Sequence, residues 1–205
     1  MTADLKSAQD DLAYLRGLVS GGEARTRLTG QLFLAGGLIY AGQCVFHGAQ
    51  GLGLAPATGP ISLLGAIGPT VVFLAVLTLA IVRNRHVSQG GTASKAAGAA
   101  FAATGSANLA SILVFASVSI AQKNFIIWLI YPCMVFILQG AAWLVAASLY
   151  RRLWYLFVAL GWFATAVGMA LTIGTATYVF LVAAGLLLFM ALPGLVMIRQ
   201  AGKGA

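Results

Sequence analysis

Two cysteines, a histidine and a methionine are the side chains of this sequence whose types and spacing best suit chemistry. Cys44 and His47 are three residues apart and therefore share one face of a helix. Cys133 and Met134 follow Pro132 in a later apolar segment. If the two segments touch, thiolates, an imidazole and a thioether converge, a set that suits Cu(I), or Zn²⁺ without the methionine. A thiol-redox pair is a variant, and the alternative is that both cysteines are small buried hydrophobic residues.

Three amide side chains lie within apolar segments, where polar groups are rare. They are Gln43, Asn108 and Gln139. An amide surrounded by lipid must find a hydrogen-bond partner, and a bond between helices is the usual solution. We therefore expect these residues to fix helix packing, and the alternative is a site for a neutral solute near the middle of the membrane.

Acidic residues are confined to the start of the chain. From Ala24 to Ala205 the sequence contains no Asp or Glu. Proton relays and cation-coupling sites in membranes usually depend on buried carboxylates. The sequence also lacks a P-loop, a GxGxxG fingerprint and an HExxH pair. These absences favour a protein that is not an enzyme and needs no cofactor.

The composition is that of an integral membrane protein. The 205 residues are 60% hydrophobic and 8% charged, whereas soluble domains carry about 25% charged residues. A membrane-spanning helix needs about 20 mostly apolar residues. This criterion predicts an all-α polytopic fold with six transmembrane helices. They cover approximately residues 29–47, 61–82, 96–121, 125–150, 153–173 and 177–198.

Basic residues alternate with the predicted helices. Pairs of arginines precede the first helix, follow the second and separate the fourth from the fifth, while the remaining loops hold almost no charge. By the positive-inside rule, both termini are cytoplasmic. The net charge of +8 is therefore interpreted as a topology signal and not as a nucleic-acid surface. The pairs are Arg25 and Arg27, Arg83 and Arg85, and Arg151 and Arg152.

The amino-terminal segment, residues 1–22, is predicted to be a separate cytoplasmic amphipathic helix. Its apolar face comprises Leu5, Ala8, Leu12, Leu15 and Val19. The segment is acidic, which disfavours binding to an anionic lipid surface. We expect it to dock on the protein's own basic loops or on a partner.

The remaining chain divides into a membrane domain and a tail. A hinge at Gly21 and Gly22 is expected to separate the amino-terminal helix from the membrane domain, residues 23–198. A short basic tail, residues 199–205, follows it.

Small residues mark three candidate helix contacts. The most extensive is a stripe at spacing four on the third helix, and shorter versions are Gly37 with Ala41 and Gly161 with Thr165. Small side chains let membrane helices approach closely. We therefore expect the third helix to be central or to lie at a subunit contact. The stripe comprises Gly98, Ala102, Ser106 and Ala110.

Three classes of function remain open from the sequence. The favoured one is a non-enzymatic bacterial inner-membrane protein that binds or scaffolds another membrane component, a partner or a second copy. The richness in Gly and Ala, the excess of Arg over Lys and the short loops favour the bacterial assignment. The alternatives are a small transporter or channel for a neutral or lipophilic solute, and a metal or thiol-redox protein using Cys44, His47 and Cys133.

Overall fold

The computed structural model describes residues 2–86 and 91–202, with side chains described from Ala24 onward. Over these residues the chain forms six long helices, each of which contains a stretch long and apolar enough to cross a membrane. The predicted number of spanning helices is therefore confirmed, and the bounds agree within a few residues for all but the first. The helices are α1 (Thr2–Gly51), α2 (Pro60–Arg83), α3 (Thr92–Ala121), α4 (Phe125–Tyr150), α5 (Leu153–Leu171) and α6 (Ala176–Ala201).

Helix α1 is much longer than any span requires. It is continuous from Thr2 to Gly51, and its apolar stretch begins only at Ala24. The backbone is helical at Gly21 and Gly22, so α1 does not end there, and the expected division of the chain at these residues stays a prediction. Glycine costs about 1 kcal/mol relative to alanine in a helix, but it keeps its N–H and does not prevent the helix from continuing. The cytoplasmic location of residues 1–22 remains a prediction.

Short turns connect the later helices into antiparallel pairs. Lys123 lies in the α3–α4 turn with φ 49°, and Arg151 ends α4 with φ 51°. The Asn124 side chain accepts a hydrogen bond from the Ile126 N–H and so caps α4. Consecutive helices therefore run in opposite directions. We call the end of the bundle that holds Arg25 and Arg152 the basic end, and the opposite end, which holds Lys123, the far end.

The core lies between α1, α4, α5 and α6. Its largest fully buried side chains are Trp143 of α4 with Trp162 and Met169 of α5. Phe33 joins α1 to both α3 and α4, because its ring lies 5.2 Å from the rings of Phe101 and Trp143. The helices are thus arranged in the order α2, α1, α6, α5, α4, α3.

The two outlying helices, α2 and α3, have little buried surface. Helix α2 packs against α1 and has no buried residue. Helix α3 packs against α4 and buries only Ala97 and Thr104. A central position for α3 within the chain is therefore wrong, because α4 covers only one of its faces.

Two of the three predicted small-residue contacts are confirmed. Gly37 lies against α6, where a Cβ at its position would be 2.6 Å from the Ala191 nitrogen, and Ala41 on the same face is 3% exposed. Gly161 of α5 faces the ring of Phe189, and the nearby Thr165 is buried. Gly37 therefore lets α1 approach the α6 backbone closely, whereas Gly161 makes room for the Phe189 ring.

Helix α6 contains a wider turn in its second half. The five residues Leu187–Ala191 form a π-helical turn, and regular α-helix resumes at Leu192. Pro193 follows directly. A proline lacks an N–H donor and its ring clashes with the carbonyl four residues earlier. A π-turn at this place makes room for the ring without ending the helix.

Candidate functional site

Tyr178 of α6 lies in the same buried cluster as Cys133, at the far end of the bundle. Its hydroxyl donates a 2.7 Å hydrogen bond to the Leu129 carbonyl of α4, and the Cys133 thiol donates to the same oxygen at 3.8 Å. Cys44 of α1 packs against the buried cluster that contains both Tyr178 and Cys133. Both cysteines are free thiols. The structure therefore brings α1, α4 and α6 together around one buried tyrosine.

The expected metal-ligand set does not assemble around this tyrosine. His47 is hydrogen-bonded to Gln50 of its own helix at 2.8 Å, and Met134 is 37% exposed on the outside of the bundle. Among the residues that the structure describes, no three His, Cys, Asp or Glu side chains are grouped closely enough to hold a metal ion.

A polar network at the far end ties the α1–α2 loop to both helices. The Gln50 amide nitrogen donates to the Pro56 carbonyl at 2.6 Å and to the Ser62 hydroxyl at 3.0 Å. Ser62 in turn donates to the Ala57 carbonyl at 3.1 Å. Through its bond to Gln50, His47 is connected to this network.

The three membrane amides have different environments. The Gln43 nitrogen donates to the Ala66 carbonyl of α2 at 2.8 Å, which is the interhelical bond expected for packing. Asn108 of α3 and Gln139 of α4 lie near the middle of two packed helices, and each has a buried oxygen with no hydrogen-bond partner. A buried acceptor without a donor is costly. Packing therefore accounts for Gln43 but leaves the oxygens of the other two unexplained.

All but one of the described basic residues lie at the basic end. Arg25 lies at the start of the apolar stretch of α1. Its guanidinium packs against Gly98 of α3. Arg152 donates a long 3.4 Å hydrogen bond to Gln200 of α6. Lys123 alone lies at the far end. This segregation is the pattern that the positive-inside rule requires.

Aromatic rings fill the region just inside the basic end. Trp143 contacts Trp154 and Tyr155 with ring centroids 5.9 Å and 5.3 Å apart, and Tyr150 stacks on Tyr155 at 5.5 Å. The Trp143 and Trp154 indole nitrogens are buried without an acceptor. The sequence does not identify Trp143 as the centre of this cluster, because a single tryptophan in an apolar helix has no distinguishing spacing.

The most extensive small-residue surface of the chain is not buried. In the first half of α3, the exposed residues between Thr92 and Ser106 are Thr, Lys, Ala, Gly or Ser. Ala102, Ser106 and Ala110 of the predicted stripe are all exposed. We call this surface, comprising Ala99, Ala102, Ala103, Ser106 and Ala110, the α3 face. The face of α3 that does pack on α4 is a different one, and it contains Ala97 and Thr104.

The α3 face differs from the other exposed helix surfaces of the chain. The exposed residues of α2 include Leu63, Leu64, Ile67 and Val71, which are side chains of the size usually presented to lipid. No large hydrophobic residue of α3 before Leu109 is exposed. In comparisons with protein-family models, with curated proteins and with solved structures, the chain matches none.

Proposed function

We propose that this chain is a non-enzymatic bacterial inner-membrane protein that binds a helix of another membrane protein through the α3 face. One observation supports this proposal above all others: three of the four residues of the longest small-residue stripe, Ala102, Ser106 and Ala110, are exposed. The two shorter stripes are both buried against α6. In this protein, small residues at spacing four therefore mark close helix contacts.

The α3 face has no large side chains. Helix association inside a membrane is driven by van der Waals packing, since lipid is as apolar as the helices. A surface of Ala, Gly and Ser allows a second backbone to approach closely and make many contacts. Large aliphatic residues, such as those of α2, pack equally well against lipid chains. The α3 face is therefore better suited to a helix than to lipid.

The proposed orientation places the basic end in the cytoplasm. It is supported by the positive-inside rule and by the position of the arginines at one end of the bundle. The amino-terminal part of α1, which holds the four acidic residues of the chain, then lies on the cytoplasmic side. The proposed location in a bacterial inner membrane is supported by the Gly- and Ala-rich composition and the short turns.

The test compares two matched double variants. Ala102→Leu with Ala110→Leu adds bulk to the α3 face, whereas Ala66→Leu with Ala75→Leu adds the same bulk to exposed positions of α2. The protein is extracted gently from its own membrane, and its complexes are analysed by native mass spectrometry. We expect the α3 variant to lose a heteromeric complex that the α2 variant retains.

Two results would contradict the proposal. One is a monomer without partner in the unmodified protein, and the other is equal loss of the complex in both variants. A complex that contains only copies of this chain would make the second copy the occupant of the α3 face.

Transport of a neutral solute is the second candidate, and it is supported by Asn108 and Gln139. Their buried oxygens lack donors at the middle of the α3–α4 pair, which is where a solute bearing N–H or O–H groups would bind. The test measures the osmotic swelling of proteoliposomes in urea and in glycerol. Swelling faster than in protein-free liposomes, lost when both residues are changed to leucine, would favour transport.

A further inference from the structure

The turn between α4 and α5 forms a groove whose composition changes with depth. Its volume is about 340 Å³, within the range of small-molecule sites. Arg151 and Arg152 lie at its opening, and the helix positions below them are mainly apolar. The lining residues are Leu144, Ala147, Ser148, Arg151, Arg152, Leu153 and Leu156.

We infer that this groove binds an anionic phospholipid, with the phosphate at the two arginines and an acyl chain along the leucines. Leu144 lies seven residues before Arg151 on α4, which is about 10 Å along a helix axis. The groove therefore reaches from the headgroup region into the hydrocarbon. This inference concerns a surface of α4 and α5 and does not depend on the partner proposed for α3.

The charge at the opening favours a phosphate. No residue from Ala24 onward is acidic, so no side chain in residues 24–202 can neutralise either guanidinium. Arg152 donates to the neutral Gln200 oxygen at 3.4 Å, a contact that orients the side chain without bringing a negative charge to it. Arginine forms paired hydrogen bonds with phosphate oxygens. Basic pockets between membrane helices on the cytoplasmic side are suited to anionic headgroups.

The lower part of the groove favours a lipid over a free phosphate. Leu144 is 41% exposed and Leu153 is 74% exposed, and both border the space beneath the arginines. The Ser148 hydroxyl, the one other polar group in the lining, donates to the Leu144 carbonyl at 3.0 Å. That part of the lining therefore has no unsatisfied donor for a small anion, but it offers apolar surface to a hydrocarbon chain.

The test measures lipid retention by the full chain. The protein is equilibrated in mixed micelles with equal amounts of phosphatidylglycerol and phosphatidylcholine of the same acyl chains, and bound lipids are counted by native mass spectrometry. Each basic residue near a membrane surface typically changes anionic lipid binding by about fivefold. We expect a preference for phosphatidylglycerol that Arg151→Gln with Arg152→Gln removes.

Two further variants separate this site from general electrostatics. Arg83→Gln with Arg85→Gln removes the same charge from the same end of the bundle but lies outside the groove lining, and we expect it to keep the preference. Ser148→Phe leaves the charge unchanged and fills the groove, and we expect it to lose bound phosphatidylglycerol. Thermal unfolding of each variant checks that it is folded.

Three results would overturn the inference. Equal loss in the two arginine double variants would mean that net charge alone attracts the lipid. Full retention in Ser148→Phe would mean that the groove takes no acyl chain. Displacement of phosphatidylglycerol by millimolar inorganic phosphate would assign the arginines to a free anion.

Discussion

Replacing Gly37 by alanine should weaken the helix bundle, whereas the same replacement at Gly42 should not. Both glycines lie in the apolar stretch of α1. A Cβ at Gly37 would be 2.6 Å from the Ala191 nitrogen and 2.9 Å from its Cα, while a Cβ at Gly42 would have no atom within 4 Å. The atoms that Gly37 meets belong to the α6 backbone and cannot rotate away. The two helices must therefore move apart by several tenths of an ångström.

The expected magnitude follows from comparing the two variants. Alanine favours a helix over glycine by about 1 kcal/mol, and both variants gain this amount. The difference between them therefore isolates the packing cost, which for an overpacked core is typically about 1–3 kcal/mol. Part of that cost arises at Gly30, whose contact with Gly194 lies two turns away on the same pair of helices and must loosen when the helices separate.

The assay is reversible unfolding of the purified protein in mixed micelles by increasing SDS, followed by tryptophan fluorescence. Trp143 and Trp162 are 1% exposed, so their emission will change when the core opens. We expect Gly37→Ala to unfold at lower SDS than Gly42→Ala. Equal midpoints for the two variants would refute the close α1–α6 contact and the reasoning that depends on it.

Three further changes can be measured in the same assay. Tyr178→Phe removes the 2.7 Å bond to the Leu129 carbonyl and should cost about 1 kcal/mol, whereas Tyr150→Phe, on an exposed residue, should change little; equal midpoints would mean that the Tyr178 bond is not formed. Asn108→Leu should leave stability unchanged or raise it, because the amide oxygen has no partner to lose; a loss above about 1 kcal/mol would reveal a bound water or another donor. Lys123→Gly should stabilise the α3–α4 turn by up to about 1 kcal/mol, since φ is 49° there and glycine adopts this conformation without strain; a lower midpoint would show that the lysine side chain stabilises the turn.

The spanning helices could be predicted because their signals are local. Apolar length defines each span, and the paired Arg151 and Arg152 mark a turn that no apolar segment can contain. The contacts at Gly37 and Gly161 were also predictable, since small residues at spacing four permit close approach whichever helix is the neighbour. The same pattern on α3 led to an expected contact that the chain does not make, because spacing carries no information about which molecule provides the neighbour.

The candidate chemical site was harder to predict because it depends on packing order. Helical spacing correctly places Cys44 and His47 on one turn of α1, but whether Cys133 meets them depends on what lies between α1 and α4. Tyr178 bonds to the Leu129 carbonyl of α4 and lies in the same buried cluster as Cys133, and nothing near it in the sequence indicates this. The helical backbone at Gly21 and Gly22 was not expected from the sequence for another reason. Two glycines lower helix stability only modestly, and the flanking residues of α1 continue the helix on both sides.

Because α1 is one continuous helix, a change in the tilt of its apolar stretch would also move its amino-terminal part. From Ala24, where the apolar stretch begins, to Thr2 is 22 residues of helix, an arm of about 33 Å. A change of about 10° in the tilt of α1, well within the range seen for membrane helices, would sweep the tip of this arm through about 6 Å. Because α1 contacts both α2 and α6 within its apolar stretch, a rearrangement among the membrane helices would be amplified at the amino terminus. A force applied at the amino terminus would likewise be transmitted into the bundle.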